Sequence, residues 1–192
     1  KSVTLRGGFY EGEPQVAGGA ARPTVTLLEP MTLRADLGDP SGEELVALLA
    51  ETSGGAGERI YLAVFATADG KLTNVGTVAV GDRVKLRRLD TEGGTIVLDV
   101  VQSAPKEPLC CGTQLARKSY RLESGRLREV SSQAVGRLSL GTIARIEWRL
   151  VEMNGKPLPK GSQAPTFAVN GDTASGFGGC NLLERRTGRQ RY

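Results

Sequence analysis

Residues 45–130 alternate between short apolar segments and turn-forming residues. At Ile96, Leu98 and Val100, apolar side chains occupy every second position, a pattern typical of a strand with one face on a core. Glycine-containing turns, such as EGG at 92–94, separate the segments. The predicted strands occupy residues 44–51, 60–67, 72–80, 83–90, 95–103, 118–124 and 126–132.

The spacing of these strands predicts an antiparallel meander. Two-residue turns at 69–70 and 93–94 are short enough to join neighbouring strands as hairpins. The segment at 44–51, ELVALLAE, contains leucine and alanine residues that favour a helix locally, but its shortness and the following glycine pair favour a strand. We predict a strand there, one or two more strands within 25–37, and a loop at 13–23.

A change of composition near residues 136–143 predicts a boundary between two domains. Gly136 and Gly141 bracket this segment, and basic residues outnumber acidic ones after it. The expected fold is mainly β, with an antiparallel barrel-like or sandwich domain over 1–140 and a small β unit over 141–192. In the second domain we predict strands at 147–153 and 165–170, with turns at 154–157 and 171–172.

Charge is distributed unevenly along the chain. The sequence holds 25 Lys and Arg residues against 21 Asp and Glu; residues 1–144 contain 17 of each, which leaves 8 against 4 for residues 145–192. The excess is concentrated in the stretch ERRTGRQRY, typical of a solvated tail, and no basic face with interleaved aromatic residues accompanies it. We therefore expect no nucleic-acid partner. Apolar runs are much shorter than the ~20 residues of a membrane-spanning helix, so no transmembrane segment is predicted.

The sequence contains no histidine. Imidazole is the usual general base, the partner of serine and cysteine nucleophiles, and the commonest transition-metal ligand. Most hydrolase mechanisms are therefore excluded, and mechanisms based on lysine or paired carboxylates would need convergent groups that the sequence does not locate. We predict no enzymatic activity, no catalytic or metal-binding residues and no cofactor.

Cysteine occurs at three positions. Cys110 and Cys111 are adjacent within PLCCGT at 108–113, and Cys180 lies about seventy residues further on. Three cysteines without histidine are too few for a structural zinc site, and the adjacent pair lacks the C-x-x-C spacing of redox enzymes. A vicinal disulfide, a bridge from one of the pair to Cys180, and three free thiols remain open; an oxidising compartment favours the vicinal disulfide.

The acidic stretch DLGDPSGEE at 36–44 is a candidate cation-binding loop. Glycine and proline interrupt the alternate oxygen-bearing positions of an EF-hand type of calcium loop, which favours a solvated turn. A calcium site formed by Asp36, Asp39 and Glu44 is the alternative.

The stretch SGFGGCN at 175–181 has three glycines within four residues. Glycine permits positive φ and close backbone approach, which predicts a tight bend or bulge with Phe177 facing the core. A phosphate-binding loop would need a following helix and a Lys-Ser/Thr pair, and the sequence offers neither. Tyr61 and Phe65 are predicted to pack in a core. Trp148 alternates with Leu150 and is predicted to anchor a core, with binding of a sugar or peptide as the alternative.

Two stretches together resemble the first half of the META domain, the HslJ-like family of bacterial envelope and stress-associated proteins. They are WRLVEMNGKPLP at 148–159 and PTFAVNGDTASGFGGCN at 165–181. In that family a Trp-containing strand leads through an NGK turn to a further strand and a G-x-x-GCN signature. After these residues the chain departs from the family pattern. The matching residues are Trp148, Asn154, Gly155, Gly176, Gly178, Gly179, Cys180 and Asn181.

Residues 45–122 more loosely resemble the region that precedes META domains in some predicted bacterial lipoproteins. The resemblance lies in YLAV, GDRV and a CC-x-T stretch in which Gly112 replaces the usual proline. Together the two resemblances imply a non-catalytic cell-envelope protein, periplasmic or extracellular, that acts as a scaffold or binding module linked to stress. The start at Lys1 rather than Met fits either removal of a targeting segment or a shortened chain.

Half of a META sheet would expose unpaired strand edges. We therefore expect these strands to pair with the first domain or with a second copy as a homodimer. The expected partner is a protein or a small molecule. The alternative function is a small-ligand or cation-binding protein that uses the β domain and the loop at 36–44.

Overall fold

The computed structural model describes residues 2–38, 42–55, 57–68, 70–139, 141, 143–171 and 173–186. Strands make up 61% of it and α-helices are not found in the described ranges, which confirms the predicted mainly β, antiparallel class. Within those ranges, no helix is long and apolar enough to span a bilayer. The chain forms two compact units, Lys1–Arg137 and Leu138–Tyr192.

In its described residues, the N-terminal unit is a meander of nine antiparallel strands in two sheets. Each strand of a sheet pairs with its neighbours in sequence, and one sheet curls strongly into a half-barrel. The first sheet contains β1 (Phe9–Glu11), β2 (Thr24–Asp36), β3 (Glu43–Thr52), β4 (Glu58–Ala68) and β5 (Lys71–Asp82). The second contains β6 (Lys85–Glu92), β7 (Thr95–Gln102), β8 (Gln114–Glu123) and β9 (Arg126–Arg137).

Every strand predicted between 44 and 132 is present. The ambiguous segment at 44–51 lies in β3, between β2 and β4, where ladders on both sides bond its backbone groups and outweigh its local helix preference. The predicted hairpin at 93–94 joins β6 to β7, and its two glycines have φ of 55° and 73°. The turn predicted at 69–70 lies partly outside the described residues.

The two sheets of the N-terminal unit share one hydrophobic core. Leu62 on β4 and Leu98 on β7 are fully buried in it. Gly76 on β5 brings the sheets together, because a Cβ at that position would lie 2.9 Å from the Cβ of Leu127 on β9. Tyr61 and Phe65 on β4 are half-buried.

The C-terminal unit contains a four-stranded antiparallel sheet and a short hairpin. The sheet has the order β10 (Glu147–Arg149), β13 (Thr166–Asn170), β14 (Thr173–Phe177), β15 (Leu182–Arg186), and the hairpin pairs β11 (Glu152–Met153) with β12 (Lys156–Pro157). Val169 alone is fully buried among the described side chains of this unit. The unit therefore has a very small core of its own.

The prediction of a single strand at 147–153 was wrong, because this segment forms two strands in different sheets. Asn154 and Gly155, with φ of 53° and 73°, reverse the chain directly after Met153, so that Met153 pairs locally with Lys156. This is the turn geometry that an Asn-Gly pair favours. The turn predicted at 171–172 lies partly outside the described residues.

Candidate functional site

The acidic loop uses its carboxylates to bond its own backbone. Asp36 Oδ1 accepts a hydrogen bond from the Gly38 N–H at 2.8 Å, and the fully buried Glu44 accepts one from the Leu37 N–H at 3.0 Å. Asp39, the third predicted calcium ligand, lies outside the described residues. Within the described part of the chain, no three His, Cys, Asp or Glu residues are grouped so that they could hold a metal ion.

Four residues form one row across the sheet of the C-terminal unit. Trp148 on β10 lies opposite Phe167 on β13, which lies opposite Gly176 on β14, and Gly176 lies opposite Leu183 on β15. Directly opposed residues of antiparallel strands share one face of the sheet. We call these four residues the apolar row.

The apolar row is exposed. Trp148 retains 47% of its accessible surface, Phe167 42% and Leu183 62%. The prediction that Trp148 anchors a core was therefore wrong, since this unit has too small a core to receive an indole. The Trp148 Nε1–H donates a hydrogen bond to the carbonyl oxygen of Ile143 at 3.2 Å, which fixes the ring while it stays exposed.

Two open grooves run along the apolar row. Their volumes are about 300 and 380 Å³. Arg149 lines the first and Glu184 lines the second, and the other lining residues are uncharged. Gly176 lines the second groove, and a Cβ at that position would collide with the carbonyl oxygen of Thr166. The grooves thus offer apolar contact with few charged groups.

β15 is an open edge of this sheet. Among the described strands it pairs only with β14. Leu182, at its start, keeps 86% of its surface accessible. An edge strand presents unpaired N–H and C=O groups to which another extended chain can bond.

The net positive charge of the protein comes from the C-terminal unit. Residues 138–192 carry 8 Lys and Arg against 4 Asp and Glu, whereas residues 1–137 carry 17 of each. By sequence, β15 ends in Arg185 and Arg186. The exposed sheet is therefore part of a basic unit.

A second candidate site lies in the N-terminal unit, at the loop between β7 and β8. Cys110 and Cys111 form a disulfide within a short 3₁₀ turn, Leu109–Cys111, and both are exposed. The two sulfur atoms are thus in the contact that the favoured vicinal pairing requires. Cys180 is a free, exposed thiol.

Glu107 holds this loop at both ends. Its carboxylate accepts hydrogen bonds from the Ala104 N–H at 2.9 Å and the Thr113 N–H at 3.1 Å, and from the Thr113 hydroxyl at 2.7 Å. Arg137 Nη2, at the end of β9, lies 2.8 Å from Glu107 Oε1. The Ala104 N–H, followed by the two Thr113 donors, lowers the pKa of Glu107 from 4.5 to about 2. We call this arrangement the Glu107 clamp.

Gly112 lies at the position where the lipoprotein region that residues 45–122 resemble usually has proline. Its φ of −58° would suit proline. A Cβ, however, would collide with the backbone of Gln102 and Ser103. Glycine therefore lets the loop pack directly against the end of β7.

A polar cluster lies on β8 and β9. Glu129 Oε2 accepts hydrogen bonds from Lys118 Nζ at 3.0 Å and from the Tyr120 hydroxyl at 3.3 Å. Tyr120 is fully buried, and burial together with Glu129 raises the pKa of its hydroxyl above its ordinary range. The buried Tyr120 hydroxyl and the Lys118 ammonium therefore share one partner, Glu129.

The structure brings together only part of the predicted META signature. Trp148 and Gly176 belong to the apolar row, with Phe167 between them. Asn154 and Gly155 form the turn of the β11–β12 hairpin, whereas Gly178–Asn181 form the β14–β15 connection, closed by a bond from Gly178 N–H to Asn181 O at 2.8 Å. Phe177 ends β14 and is half-buried rather than a core residue.

Sequence reasoning missed Phe167 and Leu183 as members of an exposed row, because their alignment depends on strand register. It also missed Glu107, whose partners lie at three separated positions. No protein-family model, curated protein or solved structure matches this chain, so the META resemblance rests on its eight signature residues.

Proposed function

We propose that the chain is a non-catalytic binding module of the bacterial cell envelope. Its C-terminal unit would bind an extended, acidic segment of a partner protein and so act as a scaffold. The observation that carries this proposal is the exposed apolar row beside the open edge of β15. An exposed aromatic and aliphatic row with few charges is typical of the centre of a binding surface.

The open edge favours an extended segment as the occupant. A partner strand can bond to the free N–H and C=O groups of β15, which gives affinity without sequence specificity. Alternate side chains of such a strand would face the same side as Leu183 and Phe167, and the grooves there would receive apolar residues.

Charge favours an acidic partner over a second copy of the chain. Two copies would bring together two units with an excess of four positive charges each. Glu184 also places a charge on the edge strand β15, and charges on an edge disfavour edge-to-edge self-association. A complementary acidic segment would be attracted instead.

The envelope location and the absence of catalysis have separate support. A disulfide persists in an oxidising compartment, as outside the cytoplasm of bacteria. The chain has no histidine, and each groove is lined by a single charged residue, Arg149 or Glu184. The alternative of a cation-binding protein is less favoured, since Asp36 and Glu44 already bond the backbone of their own loop.

The test uses a short peptide of alternating valine and glutamate. Binding is measured by isothermal titration calorimetry, because Trp148 lies on β10, at the edge of the sheet opposite to β15. We expect saturable binding that weakens with salt, and about tenfold weaker binding of the matched valine–lysine peptide. Leu183→Glu should reduce affinity about tenfold. Leu72→Glu, a matched substitution at a 52% exposed leucine on β5, should not.

Two results would count against the proposal. The first is equal binding of the acidic and basic peptides, which would show that charge complementarity does not select the partner. The second result is self-association in sedimentation experiments that Leu183→Glu abolishes, together with no peptide binding. It would show that the open edge of β15 binds a second copy of the chain.

A further inference from the structure

We propose that Cys110 and Cys111 form a reversible two-electron redox site, which a dithiol reductant opens and the disulfide form of that reductant closes again, while the loop at 103–113 keeps the two thiols in position. This inference is independent of the proposed binding function, because it concerns the other unit. It rests on three observations: the pair joins no distant elements, it is exposed, and the loop is held without it.

Stabilisation of the fold by a cross-link is a poor explanation for this disulfide. A disulfide stabilises a fold mainly by restricting the unfolded chain, and the effect increases with the length of the closed loop. Cys110 and Cys111 are neighbours within one 3₁₀ turn. Their bond therefore closes the shortest loop that a chain allows and connects no two strands.

The pair is accessible to a reductant. Both cysteines are exposed, and Leu109 beside them retains 52% of its accessible surface. Thiol–disulfide exchange requires a thiolate to reach one sulfur of the disulfide, so exposure sets whether the reaction occurs in the folded protein. The exposed leucine adds an apolar contact for a protein reductant.

The loop keeps its position independently of the sulfur atoms. The Glu107 clamp bonds Ala104 before the cysteines, Thr113 after them, and Arg137 on β9. Gly112 packs against the backbone of β7. None of these contacts involves a cysteine side chain, so reduction leaves the two thiols next to each other and ready to close.

The reaction balances with an external dithiol. One thiolate of the reductant attacks a sulfur of the pair, the S–S bond breaks, and the departing cysteine thiolate takes up a proton. The second thiol of the reductant then attacks the mixed disulfide and releases the other cysteine. The reductant becomes a disulfide, and the protein gains two electrons and two protons.

The test uses the full chain carrying Cys180→Ser, so that the pair supplies all thiols. The protein is equilibrated in mixtures of reduced and oxidised dithiothreitol, alkylated and counted by intact mass. We expect complete, reversible reduction without denaturant and a thermal midpoint that moves by less than about 3 °C. The equilibrium constant for closure should be at least about tenfold larger in native buffer than in concentrated urea, since only the folded loop fixes the backbone conformation between the two neighbouring cysteines.

The Glu107→Gln variant tests the clamp. It should lower the closure constant about threefold or more, whereas Glu123→Gln, an exposed control at the end of β8, should leave it unchanged. Three results would overturn the inference: no reduction until denaturant is added, a larger loss of thermal stability on reduction, or equal closure constants in native buffer and urea. Equal closure constants for Glu107→Gln and Glu123→Gln would show that the Glu107 clamp does not position the two thiols.

Discussion

Gly176 lies in the middle of β14, at a point where the neighbouring strand leaves no room for a side chain. A Cβ added there would collide with the carbonyl oxygen of Thr166, and would lie 3.1 Å from the Cα of Phe167. Both atoms belong to the backbone of β13, so the collision is relieved only if β13 and β14 move apart. We therefore expect Gly176→Ala to destabilise the sheet that carries the apolar row.

The size of the effect follows from the collision and from the size of the unit. Forcing an extra methyl group into a packed site costs about 1–3 kcal/mol, and a collision with backbone atoms belongs at the upper end of that range. At roughly 0.05–0.15 kcal/mol per residue, a unit of the length of residues 138–192 has a free energy of unfolding of about 3–8 kcal/mol. The substitution should therefore remove a third or more of it.

The assay is urea unfolding followed by the fluorescence of Trp148, which lies in the C-terminal unit and is the only tryptophan. Gly178→Ala provides the matched control two residues away. A Cβ at 178 would lie 3.6 Å from Leu183 Cδ1 and 3.7 Å from Asn181 O, which are ordinary contacts. We expect a change within about 0.5 kcal/mol for this control. Equal unfolding midpoints for the two variants would refute the reasoning.

Three further predictions concern the N-terminal unit. Gly112→Pro should lower its free energy of unfolding by about 2 kcal/mol, because the ring would collide with Gln102 and Ser103 although φ is suitable; an unchanged thermal midpoint would contradict this. Because the pKa of Glu107 is lowered from 4.5 to about 2, the stability that its carboxylate contributes is complete above about pH 5 and is lost as the pH falls towards 2. Thermal midpoints measured across this range should therefore fall more steeply for the unsubstituted protein than for Glu107→Gln, and parallel curves would be inconsistent with the clamp. For Lys118→Met and Glu129→Gln, urea unfolding of both single variants and the double variant should give a coupling energy of about 1 kcal/mol, and additive effects would disprove the pairing.

Local rules explain the parts of the fold that sequence reasoning predicted. A strand with a buried face repeats every two residues, so the segments around Ile96 and Leu98 were recognisable without knowledge of their partners. The turns at Gly93 and Asn154 were recognisable because few residue pairs adopt positive φ at low cost. The vicinal disulfide joins neighbours in sequence, so no long-range contact was needed to propose it.

Only the tertiary structure decided what these elements form together. The apolar row depends on three separate strand registers, and a shift of one residue in any of them would move a side chain to the other face. The exposure of Trp148 depends on how much the rest of its unit buries, which its own alternation does not reveal. The Glu107 clamp joins groups at 104, 113 and 137, and contacts between distant positions leave no periodic trace in a sequence.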